Sequence, residues 1–209
     1  MIVLWAMSLW AAMGILTASQ FFVGTWSRHH IHPRRMALVM LIIWIGSWFR
    51  MRWPYPPVRV DLGFVFLLLL GGFWMAGQKQ ARGGWLWIAA LGLFSMVVRL
   101  MVPFSIHQAS LLPVAAFESV GVGIGGGLAM LDPLAGAVVS LIAAAMASVA
   151  VGVWHHSPYE WGRHDTAAVM IASLSGWLVG WIAYEIHARL GKGALDPESE
   201  DGHNGPIGQ

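Results

Sequence analysis

The chain has 209 residues, 57% of them hydrophobic and 11% charged, with a formal net charge of +2. A soluble globular chain carries about 25% charged residues, so the composition argues against a water-soluble domain, and the lack of cysteine excludes disulfides, thiolate metal sites and iron–sulfur clusters. The basic residues stand in short clusters between apolar runs, where they read as topology signals and not as a nucleic-acid surface.

The first apolar run, from Ile2 to Trp26, exceeds the roughly 7–15 residues of a signal-peptide core and is expected to be an uncleaved first span. A second runs from Met36 to Trp53. Its uncharged part ends at Phe49, so Arg50 and Arg52 must snorkel to the interface if the helix is to reach Trp53 before Pro54 stops it. The third run spans Leu62 to Gln78, with Asp61 placed to cap it. The fourth runs from Trp85 to Val102 and the fifth from Ser110 to Leu131. Asp132 and Pro133 form an N-cap and first-turn pair for the sixth, Leu134 to Trp154, and Asp165 with Thr166 offers the same for the seventh, Thr166 to Ala188. Runs near 20 apolar residues satisfy their own backbone hydrogen bonds in lipid as helices. The expected fold class is therefore all-α, a polytopic bundle of seven transmembrane helices over residues 1–188, or six if the short second segment re-enters. No inverted repeat is visible.

With the amino terminus outside, Arg28, Arg34, Arg35, Lys79, Arg82, Arg189 and Lys192 lie inside and Arg50, Arg52, Arg59 and Arg163 outside, the placement the positive-inside rule favours. Residues 189–209, with Asp196, Glu198, Glu200 and Asp201, then form a cytoplasmic tail too polar to bury anything and expected to be disordered. Trp26, Trp48, Trp53, Trp85, Trp87, Trp154 and Trp161 fall near predicted span ends and read as an interface belt.

Two charges stand inside apolar runs. Measured from a turn near Gln108, Arg99 and Glu118 each lie about 14 Å along neighbouring antiparallel helices, near the bilayer centre. A lone charge at that depth costs at least roughly 2.5–3.5 kcal/mol, so the two are expected to face one another as an intramembrane ion pair. Pro103 leaves the Arg99 carbonyl without its helical donor and predicts a kink there if the helix continues. Gly121, Gly123 and Gly126 match G-x-G-x-x-G, but no strand precedes them and no basic residue follows, so no dinucleotide cofactor is expected. Small residues four apart, Gly121 with Gly125, Gly123 with Gly127, and Gly176 with Gly180, predict close helix packing. Gly136, Ser140, Ala144, Ser148 and Gly152 extend that pattern down the sixth helix. His29, His30 and His32, and separately His155, His156 and His164, lack the spacing of a metal site and are expected to be solvated loop residues. His107 reads as a polar helix end, and Glu185 with Arg189 as an intrahelical pair. No catalytic, cofactor or metal residue is assigned.

The run His156-Ser157-Pro158-Tyr159-Glu160-Trp161-Gly162, followed by Asp165 and Thr166, resembles the corresponding stretch of the YphA family, small polytopic membrane proteins of endospore-forming bacteria. The resemblance implies a multi-pass protein of a bacterial inner membrane and transfers no functional residue. Three functional classes follow from the residues. One is a non-enzymatic component that contacts other membrane proteins, or its own copies, within the lipid bilayer. The second is a small transporter or ion or proton pathway built on Arg99 and Glu118. The third is an interfacial enzyme using Glu160, His164 or Asp165, to which no motif points.

Overall fold

Helices dominate the computed structural model, which describes residues 2–53, 58–77, 81–101, 114–154 and 160–193. In chain order they are α1 (Ile2–Ala18), α2 (Val23–Arg28), α3 (Pro33–Gly46), α4 (Leu62–Gly77), α5 (Ala81–Met101), α6 (Val114–Met130), α7 (Pro133–Trp154) and α8 (Arg163–Gly193). Stretches Gly83–Met101, Pro133–Trp154 and Arg163–Leu190 are long and apolar enough to cross a membrane; Val3–Ala18, Leu62–Met75 and Ala116–Met130 are apolar but shorter.

The expected second span is corrected. Its helix ends at Gly46, where the Ser47 hydroxyl bonds back to the Ile43 and Trp44 carbonyls, and Arg50–Trp53 forms a strand, β1. It pairs antiparallel with β2 (Val58–Asp61), which pairs parallel with β3 (Glu160–Trp161). Arg50-Met51-Arg52-Trp53 and Val58-Arg59-Val60-Asp61 alternate charged and apolar residues. That period of two suits a pleated strand with unlike faces better than a helix. Arg50 and Arg52 therefore project from a small sheet across one end of the bundle and do not snorkel from a helix.

Other boundaries follow local chemistry. The Asp132 carboxylate accepts from the Leu134 and Ala135 N–H groups at 3.0 and 2.8 Å, capping α7, with Pro133 at its first position. Leu131 joins α6 to α7 in the left-handed region at φ 49°, a cost tolerated because its N–H still reaches the Gly127 carbonyl at 3.1 Å. Asp61 accepts the Gly63 N–H at 3.3 Å at the head of α4. Asp165 is not the cap of the last helix: α8 begins two residues earlier, and the Asp165 carboxylate reaches back to the Gly162 N–H at 3.2 Å, the acid half of a capping box. At its other end α8 continues past Ala188 to Gly193. The tail beyond, like Pro103 and His107, lies outside the described residues.

Helix α7 is the axis of the second half, buried almost continuously from Pro133 to Ser148. It packs against α5, α6 and α8. Glycine lets the backbones touch: a methyl added at Gly176 would lie 2.7 Å from the Gly136 carbonyl oxygen, one at Gly136 2.9 Å from the Gly127 Cα, and one at Gly180 2.6 Å from the Asp132 carbonyl oxygen. Gly123, Gly126, Gly127 and Gly136 thus join Gly176 and Gly180 in the close contacts. Gly125 faces the Leu91 side chain, whereas Gly121 meets only the Phe94 ring at an ordinary 3.9 Å. Gly121 therefore does not belong to a close helix contact, whereas a methyl at Gly125, one turn on, would meet the same helix α5 at 2.7 Å through Leu91. The first half packs α1 on α3 and α3 on α4, with Trp10, Met40, Ile43, Phe64 and Leu67 in its core. Trp26 departs from the expected belt, being 2% exposed, whereas Trp48, Trp85, Trp87 and Trp154 are exposed.

Candidate functional site

Ser95 and Arg99 are four apart on α5 and so share one helix face. That face meets the first turns of α6, and the Arg99 Nε donates to the Glu118 Oε2 at 2.6 Å. Ser95 donates its hydroxyl proton to the other Glu118 oxygen. The structure thus brings Arg99 and Glu118 together and adds residues from two further helices. The Arg99 Nη1 donates to the Ser148 Oγ on α7 at 2.7 Å and lies 3.8 Å from the Asp165 Oδ1 on α8. Arg99 is 8% exposed and Glu118 4%. The Arg99 Nη2 has no hydrogen-bond partner among the described residues.

Four helices therefore meet at one guanidinium that faces two carboxylates. A charge-assisted pair at this distance is strong, but removing two charges from water costs several kcal/mol each, so the gain depends on the extra bonds from Ser95 and Ser148. The level of the cluster differs from the mid-bilayer expectation. Asp165 is the third residue of α8 and Ser148 lies six residues before the end of α7, about 9 Å at 1.5 Å per residue. The cluster belongs to the end of the bundle that carries the sheet.

The same first turn of α8 serves a second buried acid. Burial pushes the Asp61 carboxyl up to about 6, against the opposing pull of the Gly63 N–H, the Thr166 hydroxyl and the Arg163 and Arg50 charges. Arg163 also lies over the Trp48 ring, 5.4 Å from its centroid. His164 is exposed and lines a pocket of about 290 Å³ with Val3, Leu4, Met7, Trp48, Arg50 and Arg163. Asp165 instead turns inward to Arg99.

At the opposite end, His29 and Asp132 lie 3.1 Å apart through Nε2 and Oδ2, with the His29 ring edge-on to Trp74. His29 is thus anchored and not a solvated loop residue. Burial alone would raise the Asp132 carboxyl, but the His29 hydrogen bond, the Ala135 and Leu134 amides and the His29 charge together hold it below the usual range. From Asp132 to Ser148 is sixteen residues, about 24 Å of helix. The polar side chain between them on α7 is Ser140, whose hydroxyl donates to the Gly136 carbonyl at 2.7 Å. Among the described residues no three His, Asp or Glu side chains gather as a metal site would require; His155 and His156 lie outside those residues.

Sequence reasoning found Arg99 and Glu118 because charges in apolar runs are conspicuous. It missed Ser148, which looked like one of a stripe of small residues, and Asp165, which looked like a cap. No protein-family model, curated protein or solved structure matches the chain.

Proposed function

We propose that this chain is a multi-pass integral protein of a bacterial cell membrane. It has seven spans, its amino terminus outside and its carboxyl terminus in the cytoplasm, and it acts as a non-enzymatic component through lateral contacts with other membrane proteins. Three helices long and apolar enough to cross a membrane and three shorter apolar ones support a multi-pass bundle, and counting the fourteen-residue α3 brings the number to seven. Large apolar side chains such as Phe73, Leu86 and Met101 stand more than 70% exposed, which suits lipid and not water. The YphA-like run at residues 156–162 supports the bacterial assignment.

The observation that favours lateral contacts over an ion pathway is the engagement of Arg99 by its own chain's Glu118, Ser148 and Asp165, at one end of the bundle, with about 24 Å of closely packed α7 between it and the polar pair at the other end. The glycine faces of α6, α7 and α8 are occupied within the bundle, so the exposed apolar side chains, on α1, α3 and α5 among others, supply the lateral surface for partners. An ion or proton pathway is the second reading, favoured by the unpartnered Arg99 Nη2 and the second carboxylate beside it. Two measurements separate them. On the first reading, cross-linking in cells captures a stoichiometric membrane partner through residues of α1, α3 or α5, and proteoliposomes pass no more ions or protons than empty vesicles. Flux in the parent that disappears in a Glu118→Gln protein still folded in the vesicles would instead establish the pathway.

A further inference from the structure

Helices α1 and α3 do not close against each other along their outer side. Between them lies a groove of about 390 Å³, lined on α1 by Trp10, Ala11, Gly14 and Ala18 and on α3 by Arg34, Leu38 and Trp44, among others. Its floor is fixed, because the buried Trp10 indole N–H donates to the Met40 carbonyl at 3.1 Å and ties the two helices together. The small residues Ala11, Gly14 and Ala18 recess one wall. Apart from Arg34, every side chain lining the groove is apolar or an indole.

Its dimensions decide what fits. From Arg34 to Trp44 is ten residues of α3, about 15 Å, or half of the roughly 30 Å hydrocarbon core. The groove is therefore about as long as one leaflet is deep, with Arg34 at one end and apolar side chains along the rest. A single acyl chain, thin and about one leaflet long, can lie within it along its whole length, whereas a helix about 10 Å across would seat only a ridge of side chains in it. Arg34 and its exposed neighbour Arg35 stand where a headgroup would lie. A guanidinium matches phosphate oxygens in a planar, two-point geometry.

We propose that this groove is a binding site for one anionic phospholipid, its acyl chain along α1 and α3 and its phosphate on Arg34. In the orientation proposed above, the site opens to the cytoplasmic leaflet. Selectivity comes from the arginine end and retention from the apolar walls, so the two can be removed separately.

The test uses the full chain, delipidated in mild detergent and titrated with dioleoyl phosphatidylglycerol or dioleoyl phosphatidylcholine, with bound lipids counted by native mass spectrometry. One phosphatidylglycerol is expected to bind more tightly than any phosphatidylcholine. Arg34→Gln should weaken it about fivefold, the effect of one arginine at a lipid surface, and bring the two lipids closer together. Filling the groove with Ala11→Leu and Ala18→Leu together should weaken both lipids. If this second variant does not fold, Arg34→Gln, at the exposed end of the groove, still decides the matter. Equal binding of the two lipids to the parent, or unchanged selectivity in Arg34→Gln, overturns the proposal. So does a dimer of the parent that dissociates in the groove-filling variant, which would make a second copy the occupant.

Discussion

The two halves of the bundle achieve close packing by opposite means. In α1, α3 and α4 large side chains interlock, with Trp10, Met40, Ile43, Phe64 and Leu67 in the core, and a groove of about 390 Å³ remains open. In α6, α7 and α8 glycine lets the helices approach until backbone meets backbone at Gly127, Gly136, Gly176 and Gly180. Lipid removes the hydrophobic drive for helices to associate, which leaves van der Waals contact and polar bonds to hold them. The glycine half has both, since its open end is tied by Arg99, Glu118, Ser148 and Asp165. It should be rigid and intolerant, while the first half should tolerate substitution.

Breaking the charge cluster tests that contrast most severely. Glu118→Gln leaves a buried guanidinium with Ser148 and a more distant Asp165, and the loss of one partner of a buried pair costs about 3–5 kcal/mol. Removing both charges in Arg99→Leu with Glu118→Leu should recover much of the loss. Exchanging them should recover less, because Arg99→Glu sets a second acid beside Asp165, which now lies 3.8 Å from Arg99. Thermal unfolding in detergent reads all four proteins. A Glu118→Gln protein that melts with its parent would show that the cluster does not hold the second half together.

Glycine substitutions compare the halves directly. At Gly176 the added methyl would meet the Ser140 hydroxyl at 2.5 Å and the Gly136 carbonyl at 2.7 Å. Neighbouring backbone cannot give way as a side-chain end can, so Gly176→Ala should cost about 1–3 kcal/mol. At Gly72 on α4 a methyl would meet nothing within 4 Å, and Gly72→Ala should gain up to about 1 kcal/mol from helix propensity. Equal melting shifts of the same sign at both positions would remove the distinction between the halves.

Much of this contrast was legible in the sequence, for identifiable reasons. A charge within an apolar run is rare, and helical spacing fixes its depth relative to a neighbour, so Arg99 and Glu118 could be matched without coordinates. Small residues four apart announce close packing, but spacing does not say which neighbour they meet, and Gly121 and Gly123 diverge onto different sides of α6. Ser148 and Asp165 join the cluster only through the way α7 and α8 converge in space, which no local pattern encodes. The sheet did leave a signal in the alternation of residues 50–53 and 58–61. Its two four-residue strands are short beside the apolar runs that flank them, so helix continuity overrides them in a reading by hydropathy.

The smallest effect belongs to the hydrogen bond that ties the loop before α3 to the cap of α7, His29 to Asp132. Asp132→Ala removes both the cap and the link to His29 and should cost about 1 kcal/mol. Asp132→Asn keeps a capping oxygen and removes the charge, so it should cost less. The pH dependence has a definite sign. The folded Asp132 carboxyl is held below its ordinary value, so the folded state favours the ionised form. Its contribution is complete above the unfolded value of about 3.9 and is lost as pH falls through the lower folded value. The melting difference between the parent and Asp132→Asn should therefore shrink below pH about 4. A difference that grows on acidification would mean that the neutral carboxyl is the form the fold prefers, and that His29 does not use the charge to clasp the two halves together.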